Sequence, residues 1–177
     1  MIKYFALLML LFAGSLLYGA DDNEVEIKGG FGYVLGEDGS KLKGTKINDD
    51  TIEVQAKSSF RSFNKCLIEL NDDKLIYTIS GRAVFDSEKD TDRELKIVLN
   101  LLEKKYKATF EDTTNRSTKS QDQIFYSLHR GSKNITVIKQ GKKALRINYW
   151  DTEMNNSQRD RKKRALEQQN NNNTDAL

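Results

Sequence analysis

The sequence predicts an α+β protein: an antiparallel sheet of short strands, one amphipathic helix packed on it, and a polar helix at the C-terminus. Short runs rich in β-branched and aromatic residues lie on both sides of a single amphipathic stretch at residues 90–106. Turn residues separate these runs, as expected for hairpins. Because strands and helices are grouped rather than alternating, an antiparallel sheet is favoured over a parallel one.

Strands are predicted before the helix. The segment "TIEVQA" at residues 51–56 alternates apolar and polar residues, the period of a half-buried strand. Two further apolar runs within residues 64–85 flank the polar segment "NDDK" at residues 71–74, which predicts a hairpin.

The helix is predicted over residues 90–106, "DTDRELKIVLNLLEKKY". Thr91 and Glu94 have the spacing of a capping box at its start. Lysines near its end suit the negative pole of the helix dipole. Its apolar face, at spacings of three and four residues, comprises Leu95, Val98, Leu99, Leu102 and Tyr106.

Three strands are predicted after the helix, at "IFYSLHR", "NITVIKQ" and "ALRINYW", and glycine-containing turns join them into a meander. Tyr149 and Trp150 are adjacent at the end of the last strand, so their rings point to opposite faces of the sheet. One ring belongs in the core, and Trp150 is a candidate contact residue for a partner.

The N-terminus has the layout of a secretory signal over residues 1–20. Lys3 is its only charge, an apolar stretch follows, and small residues end at Ala20, the expected cleavage point. The stretch is shorter than the roughly 20 residues that span a bilayer. Tyr18 stands where a small residue is preferred, so an uncleaved membrane anchor remains the alternative. We expect a periplasmic or secreted protein.

After the predicted signal peptide, the chain divides into a polar leader at residues 21–29 and a globular domain at residues 30–151. A polar helix at residues 152–169 and a disordered tail at residues 170–177 follow. Cleavage would leave 28 Lys and Arg against 26 Asp and Glu. Because these charges nearly balance, any attraction to anions must be local.

The strongest local charge lies in the C-terminal helix, and its members are Arg159, Arg161, Lys162, Lys163 and Arg164. These residues are candidates for an acidic partner or an anionic envelope polymer. Nucleic acid is disfavoured because no aromatic residue for base stacking follows Asp151. The alternative is that these residues only form a solvated face of the helix. Membrane contact is expected only if the signal peptide at residues 1–20 is not cleaved.

The other candidate site residues in the sequence give little indication of a catalytic or metal-binding site. The glycines of "GGFGYVLG" have the wrong spacing for a phosphate-binding loop. His129 is the only histidine, and Cys66 is the only cysteine and fits a buried strand position. The acidic pairs at residues 21–22, 49–50 and 72–73 fall in predicted turns. We therefore expect no cofactor, no metal ligands and no catalytic residues.

Several segments together resemble a group of small exported bacterial proteins of uncharacterised function. These proteins start with Phe-Gly-x-x-Leu-Gly, continue to a helix ending in Lys-Tyr, and finish with a hairpin and a polar helix. The matching segments here are "FGYVLGE", "VLNLLEKKY" and "ALRINYWDTEM", within residues 30–166. The resemblance implies an exported α+β protein and brings no activity with it.

The sequence thus predicts an exported envelope protein that acts as a binding or inhibitor-like accessory module, without catalysis. It would contact another envelope protein through an exposed sheet face or the C-terminal helix. Two alternatives remain: a small periplasmic hydrolase that uses carboxylates, and an anion-binding protein that uses the basic helix.

Overall fold

The computed structural model describes residues 24–114 and 122–174; the predicted signal peptide lies outside these residues. Two helices and ten strands occur in the described part. The helices are α1 (Glu88–Tyr106) and α2 (Thr152–Thr174). The strands are β1 (Gly29–Gly30), β2 (Tyr33–Val34), β3 (Thr45–Lys46), β4 (Thr51–Phe60), β5 (Phe63–Leu70), β6 (Ile76–Val84), β7 (Glu111–Asp112), β8 (Gln123–Arg130), β9 (Lys133–Gln140) and β10 (Ala144–Asp151).

Eight of these strands form one antiparallel sheet in the order β3-β4-β5-β6-β10-β9-β8-β7. Each half of the sheet is a four-stranded meander followed by a helix, and β6 pairs with β10 where the halves meet. The predicted α+β class with an antiparallel sheet is confirmed. The prediction of short strands was wrong for the six inner strands, which contain eight to ten residues each.

Helix α1 lies on one face of the sheet, here called the core face, and buries the predicted apolar stripe. The predicted capping box was wrong because the helix begins earlier. Ser87 is the N-cap, and its Oγ accepts a hydrogen bond from the Asp90 N–H at 3.2 Å. Glu94 instead binds the Arg61 guanidinium through both oxygens, at 2.5 and 3.0 Å.

The N-terminal hairpin, formed by β1 and β2, covers the rest of the core face. Its turn residues Phe31 and Gly32 both have positive φ, at 57° and 81°, as in the tight turns of two-residue hairpins. The Phe31 ring lies 5.9 Å from the rings of both Phe63 and Tyr149. It also lies against Gly81, where an added Cβ would come within 2.3 Å of the ring.

The segment before the hairpin is also docked, although the sequence assigns residues 21–29 to a polar leader. Ile27 is fully buried. Glu24 pairs with Arg130 at 3.2 Å, and Glu26 pairs with Lys133 at 3.0 Å. The side chain hydrogen bond from Lys133 lowers the pKa of Glu26. These contacts fasten the chain to the β8–β9 end of the sheet.

On both sides of the sheet, neighbouring segments form hydrogen bonds with backbone groups of the outermost long strands, β4 and β8. On β4, the Ser58 N–H donates to the Phe31 carbonyl at 3.1 Å, and the Gln55 carbonyl accepts from the Tyr33 hydroxyl at 2.8 Å. On β8, the Phe125 carbonyl accepts from the Thr113 N–H at 2.8 Å. The strands β3 and β7, at the ends of the sheet, contain two residues each.

Helix α2 follows β10 without a loop. Asp151 is buried, and its Oδ1 accepts from the Glu153 N–H at 3.0 Å and the Met154 N–H at 3.1 Å. These bonds satisfy donors that a helix start leaves free. The helix continues to Thr174, past the predicted end at residue 169, and residues 175–177 of the predicted tail lie outside the described residues.

A first prediction concerns the Phe31 contact with Gly81. Gly81→Ala is expected to lower the free energy of unfolding by about 1–3 kcal/mol, because the new methyl group overpacks against the ring. In a Phe31→Leu background the same change should cost about 1 kcal/mol or less, because the smaller side chain leaves room. Urea denaturation of the four chains measures this difference. Equal costs in both backgrounds would contradict the packing described.

A second prediction concerns Cys66, which is 2 % exposed and whose pKa burial raises from 9.0 to about 11. Below pH 9 the thiol is neutral whether the chain is folded or unfolded. As pH rises from 9 to 11 only the unfolded chain ionises, so the free energy of unfolding should fall by about 1.4 kcal/mol per pH unit from this group.

Cys66→Ala is the matched variant for this test. It should be less stable at pH 8 because it leaves a cavity, but its free energy of unfolding should fall less steeply between pH 9 and 11. Parallel curves for the two proteins would show that the thiol does not titrate in this way.

Candidate functional site

The face of the sheet opposite α1 and the N-terminal hairpin, here called the open face, carries mainly polar side chains. Strand alternation separates the two faces: Ile147 and Tyr149 of β10 are buried in the core, whereas Asn148 and Trp150 point to the open face. The prediction that Tyr149 and Trp150 lie on opposite faces is therefore confirmed. Of the two residues, Trp150 is the one on the open face, and it is also the residue that the sequence analysis named as a candidate contact for a partner.

A groove of about 500 Å³ lies on the open face. Its lining combines four hydroxyl side chains, one amide, one imidazole and two aromatic rings. These residues are Thr78, Thr113, Ser127, Thr136, Asn148, His129, Phe125 and Trp150. In the part of the chain that the structure describes, the lining contains no Asp, Glu, Lys or Arg, so hydroxyl, amide and imidazole groups and aromatic surface make up the groove.

Strand register brings these side chains together. Trp150 lies opposite Thr78 on β6. Asn148 lies opposite Thr136 on β9, which in turn lies opposite Ser127 on β8. The groove is thus assembled by strand pairing from β6, β8, β9 and β10, with Thr113 added from the residue after β7. Strand β6 belongs to the first meander and the other strands belong to the second.

Hydrogen bonds fix part of the groove floor. The Ser80 hydroxyl donates to Asn148 Oδ1 at 2.7 Å, and the Thr113 and Ser127 hydroxyls lie 3.1 Å apart. The Trp150 Nε1–H is different: it is shielded from solvent and has no hydrogen-bond partner among the described residues. An unpaired buried donor is costly, and the indole ring would have to turn for this N–H to reach a molecule bound in the groove.

His129 stands at the end of the groove in a structural contact. Its Nδ1 lies within hydrogen-bond distance of Asn134 Oδ1. Asn134 is 2 % exposed, and its amide donates to the Ser132 carbonyl at 3.2 Å and to the Thr152 hydroxyl. His129 therefore helps to hold the β8–β9 turn against the start of α2.

The basic residues of α2 lie away from the groove, and two of them are engaged by acidic loops. Arg161 pairs with Asp73 at 3.3 Å and with Asp72 at 3.8 Å, while Lys162 pairs with Asp50 at 2.9 Å. These are exposed pairs of small energetic value. Their effect is to neutralise part of the local charge.

The other three predicted basic residues are exposed on α2. Lys163 lies 3.9 Å from Glu167, and Arg164 donates to the Asp160 carbonyl at 3.3 Å. Arg159 occupies an exposed position one residue after Gln158, which is 3 % exposed. The structure does not gather the five cations with Trp150 into one site.

Three residues of the acidic pairs that the sequence placed in turns contact α2: Asp50, Asp72 and Asp73. Asp72 accepts from Gln158 Nε2 at 2.8 Å, and the Asp72 N–H donates to Gln158 Oε1 at 3.3 Å. Asp49 pairs with Lys46 at 3.1 Å. The pair at residues 21–22 lies outside the described residues.

The described ranges contain neither a metal-binding cluster nor a membrane-spanning helix. Among residues 24–114 and 122–174, no group of three or more His, Cys, Asp and Glu side chains could hold a metal ion. Over the same residues, no helix combines the length and the apolar character needed to cross a bilayer.

Sequence reasoning found Trp150 but missed most of the groove. Thr78, Ser127, Thr136 and Asn148 are ordinary polar residues at alternate strand positions. Alternation could have assigned each to the open face, and only the strand order could have placed them side by side.

Comparison with known proteins adds no assignment: the chain matches no family model, no curated protein and no solved structure.

A third prediction concerns the docking of α2. Gln158→Ala removes two hydrogen bonds to Asp72 in a buried position and is expected to lower the free energy of unfolding by about 1–3 kcal/mol. Arg159→Ala, at the next and exposed position, should change it by about 0.5 kcal/mol or less. Chemical denaturation monitored by circular dichroism compares the two. Equal effects would show that Gln158 does not dock the helix.

Proposed function

We propose that this protein is an exported bacterial envelope protein that acts as a binding module without catalysis, and that the open face of its sheet contacts another envelope protein. The observation that carries the proposal is the groove on that face. The leader sequence at residues 1–20 supports the compartment, and it lies outside the described residues.

The groove lining suits recognition by contact. Interfaces are enriched in aromatic side chains, and tryptophan often carries a large share of the binding energy. Here Trp150 and Phe125 provide aromatic surface, while hydroxyl and amide groups surround them. A volume of about 500 Å³ lies in the range of sites that accept one inserted group of a partner, such as a side chain or a short loop.

A polypeptide partner fits the hydrogen-bonding groups available. Main-chain carbonyl and N–H groups need both donors and acceptors, and the threonine and serine hydroxyls can serve as either. The Trp150 Nε1–H is shielded and unpaired among the described residues, so it would become a further donor to a partner carbonyl only if the indole ring turns on binding.

The arrangement of carboxylates supports binding over hydrolysis. Glycoside hydrolysis uses two carboxyl groups facing each other across a cleft, separated by roughly 5–10 Å. Among the described residues, no carboxylate lines the groove. Asp50, Asp72 and Asp73 contact α2 instead, which gives them a structural role.

A fourth prediction tests the proposed surface in cells. A photo-crosslinking amino acid at Phe125 is expected to capture a specific envelope protein, whereas the same group at Leu166, exposed on α2, is expected not to. N-terminal sequencing of the periplasmic protein should start at Asp21. Capture from Leu166 alone would place the contact on the helix and contradict the proposal.

The captured partner is then tested with purified proteins. Trp150 is the only tryptophan of this chain, so its fluorescence reports directly on occupation of the groove when the partner's signal is subtracted. Phe125→Ala should weaken binding about tenfold or more, as expected for an interface hot spot. Leu166→Ala should leave the affinity unchanged. Equal affinity for Phe125→Ala and the unchanged chain would exclude the groove as the contact.

A further inference from the structure

Two arginines stand side by side on the open face, next to the groove. Arg82 on β6 is the cross-strand partner of Arg146 on β10, and both point away from the core. We call these two residues the arginine pair. Directly opposite residues in an antiparallel sheet have Cβ atoms about 4.5–5.5 Å apart, so the two cationic side chains share one small region.

The arginine pair lacks a carboxylate partner among the described residues. The acidic side chain in its surroundings is Glu53, which Lys65 binds at 2.8 Å. The Arg146 Nε–H is shielded from solvent and has no acceptor in the described part of the chain. A cavity of about 310 Å³ opens beside the pair and is large enough for a small anion.

This arrangement is unfavourable in the free protein. Like charges directly opposite one another destabilise a sheet, and an unpaired buried donor adds a further cost. An oxyanion between the two guanidinium groups would offset the repulsion between the like charges, and a rotation of the Arg146 side chain toward the oxyanion would also satisfy its Nε–H. Arginine is suited to this because its planar fork of N–H groups matches the oxygens of carboxylate and phosphate.

The arginine pair also lies in line with the groove. Arg146 is opposite Ile138 on β9, and Ile138 is opposite Phe125 on β8. One row of side chains thus leads from the cationic pair across an apolar residue to the aromatic edge of the groove. A ligand lying along this row would place an anionic group at one end and a neutral segment at the other.

We propose that Arg82 and Arg146 form an oxyanion-binding site that holds a carboxylate or phosphate group of the molecule recognised by the open face. This inference deepens the proposed function and rests on it for the identity of that molecule. The anion site itself is a property of the free chain, so it can be tested without a partner.

The test uses the mature chain labelled with ¹⁵N, and sodium phosphate and sodium acetate as separate probes. Ionic strength is held constant with sodium chloride. Phosphate, acetate or both should shift the Arg146 Nε–Hε resonance in a saturable way and raise the melting temperature. The probe that binds more tightly identifies the type of oxyanion that the site prefers.

Three variants complete the test. Arg82→Gln and Arg146→Gln should each weaken anion binding at least fivefold, and each should melt at a higher temperature than the unchanged chain in the absence of phosphate and acetate. Arg159→Gln, on α2, is the matched control and should preserve binding. This combination separates a binding pair from a structural one, because loss of a structural arginine would lower the melting temperature.

The proposal is overturned if neither anion gives a saturable shift, or if Arg146→Gln binds as tightly as the unchanged chain. These outcomes leave crosslinking from Phe125 unaffected, so failure of the anion site and failure of the proposed function are distinguishable.

Discussion

The packing of Phe31 against Gly81 is the constraint on which the rest of the architecture depends. Helix α1 contacts β9 and β10, and it leaves part of the core face to be covered by the N-terminal hairpin. A side chain at position 81 would occupy the space of the Phe31 ring, and a side chain at Gly30 would meet Tyr149. Two glycines on different elements therefore allow one hairpin to complete the hydrophobic core.

Because helix α1 and the N-terminal hairpin both cover the core face, the open face of the sheet is left without either of them, and this is the face that we propose for binding. Its central strands carry uncharged polar groups around Trp150 and a concentration of positive charge at Arg82 and Arg146. The basic residues of α2, which are more conspicuous in the sequence, are partly neutralised by Asp50, Asp72 and Asp73. A cation without an acidic neighbour thus contributes more to the local positive charge of this protein than a cation that is paired.

Local patterns in the sequence predicted the elements whose periodicity is unbroken. The apolar stripe of α1, the hairpin turn after Leu70 and the opposite orientations of Tyr149 and Trp150 all follow from spacing alone. The extension of β4 through residues 57–60 did not, because three of these four residues are polar and the register with β5 shifts between Gln55 and Phe60. The start of α1 was missed because Ser87 caps the helix three residues before Asp90, and Glu94 binds the distant Arg61 instead of closing a capping box.

The arrangement of side chains on the open face was even harder to predict from the sequence, since it depends on β6 lying beside β10. Arg82 and Arg146 belong to separate meanders, and nothing local to either residue indicates that they face each other. Backbone contacts at the margins of the sheet have a different consequence. Ser58, Gln55 and Phe125 already have backbone groups bonded by neighbouring segments, so these groups are not available to another chain that would extend the sheet. The strands β3 and β7 at the ends of the sheet offer only two residues each for such pairing, and short edge strands of this kind disfavour amyloid-like aggregation.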